Sequence, residues 1–247
     1  MDSGLYSAYS GLKVNSDLLE VLSNNLANIN TAGFKSDEAF LRIYNHAVSG
    51  DGMSMDRVVN DSSFVGGART NFVPGLIKNT GRDLDLALEG KAFFVVQNAT
   101  GTYYTRNGNF QTDSERRLVN SEGLVVMGAN GPIQLPPGRV TISKGGEIQV
   151  DGTEVDTLQV VDFPDYGILE KAGNSLFRPR AGQNAQPAQA NAAVLQGSLE
   201  QSNVNSIREM TMMIGILRQF EGLQKAIYSL MNTMNDRSIN QVGRIVG

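Results

Sequence analysis

Residues 5–35 read LYSAYSGLKVNSDLLEVLSNNLANINTAGFK, and this stretch decides the fold at the N-terminal end. It contains no proline and, between Gly11 and Gly33, no glycine. Apolar and small residues recur at alternating steps of three and four positions, which is the spacing of a heptad seam on an α-helix. The seam positions are Leu5, Ala8, Leu12, Asn15, Leu19, Leu22, Leu26 and Ile29. The sequence predicts a helix that ends at 30–33, with Gly33 in a left-handed conformation.

The C-terminal segment repeats this pattern. A serine or asparagine within 202–205 is expected to cap a helix that continues to about Arg237. Gly215 and Gly222 interrupt it, which indicates either a bend or a close approach to another helix, because glycine costs about 1 kcal/mol relative to alanine there. The seam consists of Met210, Met213, Leu217, Phe220, Gln224, Ile227, Met231 and Met234. A second apolar row consists of Ile216, Leu223 and Leu230.

Between the two ends the pattern changes to that of β-structure. Leu84, Leu86 and Leu88 alternate with other residues, the apolar run 92–96 is typical of a buried strand, and Asn107-Gly108 is a hairpin signal. Turn residues recur every eight to twelve positions, which favours an all-β domain.

We therefore predict an α+β protein with an inserted β domain. Helices in 1–35 and 202–247 are expected to pair in a coiled-coil-like manner, because each carries an apolar seam that one helix cannot bury alone. The β domain is placed at 81–182, an extended or loop region at 36–80, and an extended return linker at 183–201.

The composition argues against several classes of protein. The chain has 247 residues, a net charge of −4 and no cysteine. Without a basic patch to neutralise phosphates, nucleic-acid binding is not expected. The N-terminus lacks the pattern of a cleaved signal peptide, and no apolar run approaches the length of a membrane-spanning helix. We expect no membrane insertion, and if the protein is exported, a route that reads no cleaved signal.

No constellation of catalytic residues is found in the sequence. Asp83 and Asp85 are close enough to form a carboxylate pair, but a solvated strand face is the favoured interpretation. His46 is the single histidine and has no cysteine or second histidine as a partner. We expect no catalytic, cofactor-binding or metal site, and we do not expect the protein to be an enzyme.

Several segments, in chain order, resemble those of the flagellar axial family of rod, hook and hook-associated subunits. They are Ser10–Leu12, the signature LSNNLANINTAGFK at 22–35, and the segments 84–96, 104–110 and 195–205. The tail at 238–244 is similar to an extension past the helix in the proximal-rod subunit.

The resemblance implies a structural subunit of the proximal rod, which polymerises into the drive shaft that carries torque from motor to hook. It implies type III export to the basal body, outside the cytoplasmic membrane. The implied partners are copies of the chain or close paralogues, other rod subunits and a surrounding ring. A distal-rod subunit and an exported coiled-coil adhesin or binding module remain as alternatives.

Residues of the two helices and of the signature are expected to form the interfaces of the rod. The asparagines of the signature are also consistent with a frayed helix end, and 33–35 with a helix C-cap and one anchoring aromatic residue. The predicted interface residues are Leu5, Leu12, Leu19, Leu22, Asn24, Asn25, Leu26, Asn28, Ile29, Gly33, Phe34, Lys35, Met210, Met213, Leu217, Phe220, Gln224, Ile227, Met231 and Met234.

Overall fold

The computed structural model describes residues 2–44, 62–181, 188–189 and 192–245. Helix α1 covers Asp2–Ala27, helix α2 covers Ser206–Ile245, and a 3₁₀ turn covers Tyr166–Ile168. The strands, in chain order, are β1 (Asp37–Tyr44), β2 (Ser62–Thr70), β3 (Ile77–Asn79), β4 (Leu86–Glu89), β5 (Phe93–Asn98), β6 (Gly101–Thr105), β7 (Phe110–Thr112), β8 (Leu118–Asn120), β9 (Val125–Gly128), β10 (Gly131–Pro132), β11 (Val140–Ile142), β12 (Glu147–Val150), β13 (Thr153–Thr157), β14 (Val160–Asp162), β15 (Leu169–Gly173), β16 (Leu176–Pro179), β17 (Ala188–Gln189), β18 (Ala193–Gln196) and β19 (Ser198–Glu200).

The predicted α+β class is confirmed, and the chain divides into two compact units. The helical unit consists of Met1–Leu26, Asp37–Arg69 and Asn205–Gly247. The β unit consists of Ala27–Ser36 and Thr70–Val204. The segments predicted as extended linkers contain strands. These strands form because their backbones pair: β1 with β2 inside 36–80, β18 with β4, and β19 with β3.

In the helical unit, α1 and α2 run antiparallel. A Cβ added at Gly11 would lie 3.1 Å from Leu223 Cδ1. Farther along α1, Asn25 Nδ2 donates to Glu209 Oε2 at 3.3 Å. Between these two contacts the residue number rises on α1 and falls on α2 by the same amount, as in an antiparallel helix pair. Coiled-coil packing of the pair stays a prediction.

Helix α1 ends earlier than the sequence predicts, at Ala27 rather than within 30–33. The buried Asn25 side chain turns towards the start of β1, where its Nδ2 donates to Asp37 O and its Oδ1 accepts from Asp37 N, both at 2.9 Å. Gly33 has the predicted left-handed conformation, with φ of 67°. Because it lies several residues beyond the helix end, it is not a helix C-cap.

Helix α2 is longer than the sequence predicts, because it continues past Arg237 to Ile245. Asn205 is its cap, since its Oδ1 accepts from Arg208 N at 3.1 Å. The helix runs through both internal glycines. An added Cβ at Gly215 or Gly222 would have no atom within 4 Å among the residues described, so the predicted close approach to another helix is not found within this chain.

The β unit is built around one large antiparallel sheet in the order β15-β16-β6-β5-β9-β8-β7. Strand β5 lies near its centre, and alternate side chains point to opposite faces. Phe94 and Val96 belong to one apolar cluster, and Phe93 and Val95 belong to the other. The prediction of a buried strand at 92–96 is therefore confirmed, and both faces of this strand are covered.

In the part of the chain that is described, neither helix is long and apolar enough to cross a membrane.

Candidate functional site

Three charged side chains from distant parts of the sequence meet inside the β unit, and we call them the ion triad: Lys35, Arg106 and Glu200. Their side chains are 0%, 2% and 1% exposed, respectively. Glu200 Oε1 accepts from Lys35 Nζ at 2.5 Å, and Glu200 Oε2 accepts from Arg106 Nη1 at 3.2 Å. One carboxylate therefore holds together the segment after α1, the end of β6 and the segment before α2.

Backbone groups add further hydrogen bonds to the ion triad. Lys35 Nζ also donates to Val73 O at 3.0 Å, and Gly75 N donates to Glu200 Oε1 at 2.9 Å. Arg106 Nη2 donates to Gly90 O at 2.7 Å. Buried charges are tolerated only when they are paired and hydrogen-bonded, and this arrangement meets that requirement for the lysine and the carboxylate.

Burial governs the electrostatics of the two cations. It lowers the pKa of Lys35 because removal from water disfavours the charged form, while the charge of Glu200 and its hydrogen bond act in the opposite direction. Burial likewise lowers the pKa of Arg106, again opposed by Glu200. Glu200 therefore favours the charged form of both cations, and its loss would remove the ion-pair partner of each.

The signature residues before Lys35 fix its position. Gly33 N donates to Glu200 O at 2.8 Å, and a Cβ at Gly33 would collide with the backbone of Arg106 and Asn107. Phe34 is buried under Lys171, whose Nζ lies 4.3 Å from the ring centroid. The segment 33–35 therefore docks on the chain's own residues, and its use as a docking point between subunits stays a prediction.

Asn203, in the segment before α2, uses its amide to join the segment after α1 to the segment before β3. Its Oδ1 accepts from Ser36 N at 2.8 Å. Its Nδ2 donates to Asn71 O at 2.8 Å and to Val73 O at 3.0 Å. Sequence reasoning assigned no role to Arg106 or Glu200 and considered Asn203 only as a possible cap of α2, although all three lie in segments that carry the family resemblance. No local pattern marks Arg106 or Glu200, because Arg106 lies between Thr105 and Asn107 and Glu200 lies between Leu199 and Gln201.

The predicted interface residues of α1, and of the turn that follows it, differ in their exposure. Leu22 and Asn25 are buried. Asn24 is exposed, and the side chain of Leu5 lies outside the described set. The half-buried residues of this set are Leu12, Leu19, Leu26, Asn28 and Ile29.

The structure divides the predicted seam of α2 into two rows. The inner seam is half-buried and consists of Ser206, Glu209, Met213, Ile216, Phe220, Leu223 and Ile227. The outer seam is exposed and consists of Ile207, Met210, Ile214, Leu217, Glu221, Gln224, Tyr228 and Met231. Each row keeps the heptad steps of three and four. The contact of Leu223 with Gly11 turns the row of Ile216 and Leu223 inwards, so Leu217 and its neighbours face solvent. The side chain of Met234 lies outside the described set.

The carboxylate pair considered in the sequence is split by the fold. Asp83 is exposed, whereas Asp85 is buried and accepts a hydrogen bond from Thr80 Oγ1 at 2.7 Å. A solvated strand face is therefore wrong for Asp85, because its carboxylate turns inwards to Thr80. Among the described residues, no group of three His, Cys, Asp or Glu side chains is placed to hold a metal ion. His46 lies outside them.

Comparison with known proteins gives matches along most of the chain. Residues 5–35 match the model of the flagella basal body rod protein, residues 87–150 the D1 domain of the flagellar hook protein FlgE/F/G, and residues 195–241 the C-terminal part of flagellar basal body rod FlgEFG proteins. The rod protein FlgF of Caulobacter vibrioides is 33% identical over 99% of this chain and 100% of its own length. The chain belongs to the flagellar basal-body rod protein family.

Other rod proteins are similar over almost the same length. FlgF of Salmonella typhimurium is 34% identical over 93% of this chain and 94% of its own. FlgG of Bacillus subtilis is 32% identical over 90% of this chain and 93% of its own. The predicted family and role are confirmed: the chain is a structural subunit of the flagellar basal-body rod.

The ion triad connects the three parts of this rod protein that match separate family models. Lys35 lies in the first matched segment, Arg106 in the second and Glu200 in the third. Their ion pairs therefore bring the three matched segments together in one buried site. All three residues of the ion triad belong to the β unit, which consists of Ala27–Ser36 and Thr70–Val204.

Proposed function

We propose that the chain is a subunit of the proximal rod, and that the outer seam of α2 is the surface through which it joins other rod subunits. The outer seam carries the proposal. It is a continuous exposed row of mostly apolar side chains, and exposed apolar surface of this kind marks protein interfaces. When subunits join, the outer seam is buried, whereas in a single molecule it is exposed to water.

The interfaces proposed from the sequence then have two different uses. Met213, Phe220 and Ile227 stabilise the helix pair within one subunit, because they lie on the inner seam. Met210 and Leu217 contact neighbouring subunits, because they lie on the outer seam. Torque passes between subunits through packed helices, and apolar burial stabilises this packing by roughly 25 cal/mol per Å².

The proposal includes export without a cleaved signal and a position outside the cytoplasmic membrane. The proximal position is supported by the resemblance of the tail at 238–244 and by a FlgF relative that matches the chain from end to end. A distal-rod subunit is the second candidate, because the FlgG of B. subtilis is almost as similar at 32% identity.

Electron microscopy of basal bodies tests the position. A small tag inserted at the exposed turn of Asp151 and Gly152 would label the chain in purified basal bodies. We expect the label next to the inner-membrane ring. A label next to the hook would assign the chain to the distal rod instead, and an unlabelled basal body would contradict both positions.

Replacement of Leu217 by glutamate tests the outer seam. We expect Leu217→Glu to abolish swimming and to leave the chain out of purified basal bodies, since a charge would be buried between subunits. The matched control is Gln219→Glu, which adds the same charge to an exposed position on the other side of α2. Equal incorporation of the two variants would remove the outer seam from the proposal.

A further inference from the structure

The exposed apolar residues of the β unit are concentrated in one short segment. Among the β-unit side chains that the structure describes, the large exposed hydrophobic ones are Val73, Leu76 and Ile77, which are 61%, 78% and 41% exposed. We call these three residues the apolar knob. Scattered apolar residues on a surface need no explanation, but a concentration on one segment indicates an interaction surface.

The backbone of this segment is held firmly, although its side chains project into solvent. Val73 O accepts from both Lys35 Nζ and Asn203 Nδ2, each at 3.0 Å. Gln201 N donates to Leu76 O at 2.8 Å. A Cβ at Gly75 would collide with Gln201 O, so glycine allows the segment to approach the strand beside it.

The ion triad therefore has a consequence at the surface, since it holds the backbone of the apolar knob in place. Glu200 binds Gly75 N directly, and Ile77 pairs with Glu200 in the ladder of β3 and β19. A segment that is ordered before binding loses little conformational entropy when it binds, which favours affinity. Exposed apolar side chains on a backbone that is already ordered suit a docking element.

We infer that the apolar knob docks on the first half of the outer seam, from Ile207 to Leu217, of a second copy of this chain. This inference rests on the proposed function, which supplies the neighbouring copy. Within the described residues, this half of the seam is the other surface where large apolar side chains are exposed in a row. The segment Val73–Ile77 spans up to about 14 Å when extended, and Ile207–Leu217 spans about 15 Å of helix.

The charges that follow the two surfaces are complementary. Lys78 comes directly after the apolar knob and is exposed. Glu221 lies one helical turn after Leu217 on the outer seam and is also exposed. Opposite charges at matching ends of two apolar surfaces fix the register of docking and disfavour the reverse orientation.

The contact joins the apolar knob of one copy to the outer seam of another copy. Because these are two different surfaces, the contact is heterologous. Contacts of this kind do not close on themselves unless the rotation forms a ring, and they otherwise generate open helical assemblies. A rod is an assembly of that type. One knob and one seam on every subunit would thus connect each copy to the next.

Disulfide trapping between single-cysteine variants tests the inference, because the chain contains no cysteine of its own. Leu76→Cys and Ile214→Cys would be expressed as two differently tagged full-length chains in one flagellated strain, and the cells would then be oxidised. Since both positions are exposed, the fold should be retained, which circular dichroism of each purified variant checks. We expect a mixed-tag disulfide dimer in purified basal bodies, at least tenfold more abundant than in two control pairs.

The control pairs change one position at a time. Glu122→Cys, in an exposed turn of the β unit, replaces the knob cysteine, and Gln219→Cys replaces the seam cysteine. Equal yields in test and control pairs, in basal bodies that contain the chain, would overturn the docking while leaving the rod function intact. Absence of the chain from basal bodies in every pair would overturn the rod function and the docking together.

A charge exchange provides a second readout. We expect Lys78→Glu to reduce the yield of the mixed disulfide at least threefold, and Glu221→Lys on the second chain to restore it. A decrease that Glu221→Lys does not restore would contradict the register. Docking between copies would be contradicted if the dimer formed only when one chain carried both cysteines. It would also be contradicted if such a chain formed an internal disulfide.

Discussion

In the β unit, charged groups as well as apolar side chains are enclosed, whereas α2 in the helical unit keeps a whole row of apolar residues in water. Phe93 and Phe94 are buried on opposite faces of one sheet, and the ion triad lies in the same unit. On α2, by contrast, no described side chain is fully buried, and Leu217 is among the exposed residues. The β unit encloses its core within a single molecule and exposes large apolar side chains only at the apolar knob among its described residues, while α2 exposes a whole seam. Each prediction below breaks or sharpens this difference.

The largest effect is expected at the centre of the β unit. Glu200→Gln removes the carboxylate that pairs with Lys35 and Arg106 and leaves two buried cations without a counter-ion. Breaking a buried pair in this way destabilises a protein by about 3–5 kcal/mol. Hydrogen exchange of the β5 amides in the full chain would report the loss.

The matched control for this variant is Glu170→Gln. Glu170 pairs with Arg178 at 2.8 Å, but both side chains are substantially exposed, so this ion pair contributes at most about 1 kcal/mol. If the two glutamine variants changed the protection of β5 equally, the ion triad would not stabilise the β unit.

A smaller loss is expected when Gly33 becomes alanine. Its φ of 67° lies in the left-handed region, and the added methyl group would meet the backbone of Arg106 and Asn107. We expect Gly33→Ala to reduce the free energy of unfolding of the β unit by about 3 kcal/mol in urea titrations monitored by hydrogen exchange.

The control for Gly33 uses the same substitution in the other unit. Gly215 lies inside α2, where an added methyl group meets open space, so Gly215→Ala should stabilise the helix by about 1 kcal/mol. Opposite signs for one chemical change would sharpen the contrast between the two units. A stabilising Gly33→Ala would show that the backbone there tolerates a side chain.

The part of this structure that could be predicted from the sequence is the part set by local periodicity. Helices α1 and α2 follow from steps of three and four, and the buried strand β5 follows from a short uninterrupted apolar run. The ion triad did not follow, because Lys35 and Glu200 are separated by 165 positions and no local pattern pairs them. The division of α2 into two seams did not follow either. The apolar surface of α2 is wide, and the sequence does not say which of its rows faces inwards. A contact such as that of Gly11 with Leu223 decides this, because it sets the rotation of the helix.

An intermediate effect is expected within the helical unit at Asn25. Asn25→Ala removes both hydrogen bonds to the backbone of Asp37, so Asp37 N and Asp37 O lose their bonds to the asparagine side chain. The expected loss is about 2 kcal/mol, measured as exchange protection of the β1 amides. Asn30→Ala, at an exposed position just beyond the helix, serves as the control. Equal protection of β1 in both variants would show that Asn25 does not hold the start of that strand.

The smallest effect on the free subunit is expected for Leu217→Glu, which nevertheless distinguishes the two units most clearly. Leu217 is exposed in the single chain, so the substitution should change the free energy of unfolding of the monomer by no more than about 0.5 kcal/mol. Thermal unfolding of the monomer followed by circular dichroism measures this. If Leu217→Glu destabilised the monomer as strongly as Asn25→Ala, Leu217 would already be packed within the subunit. The outer seam would then be part of a core rather than a surface for neighbours.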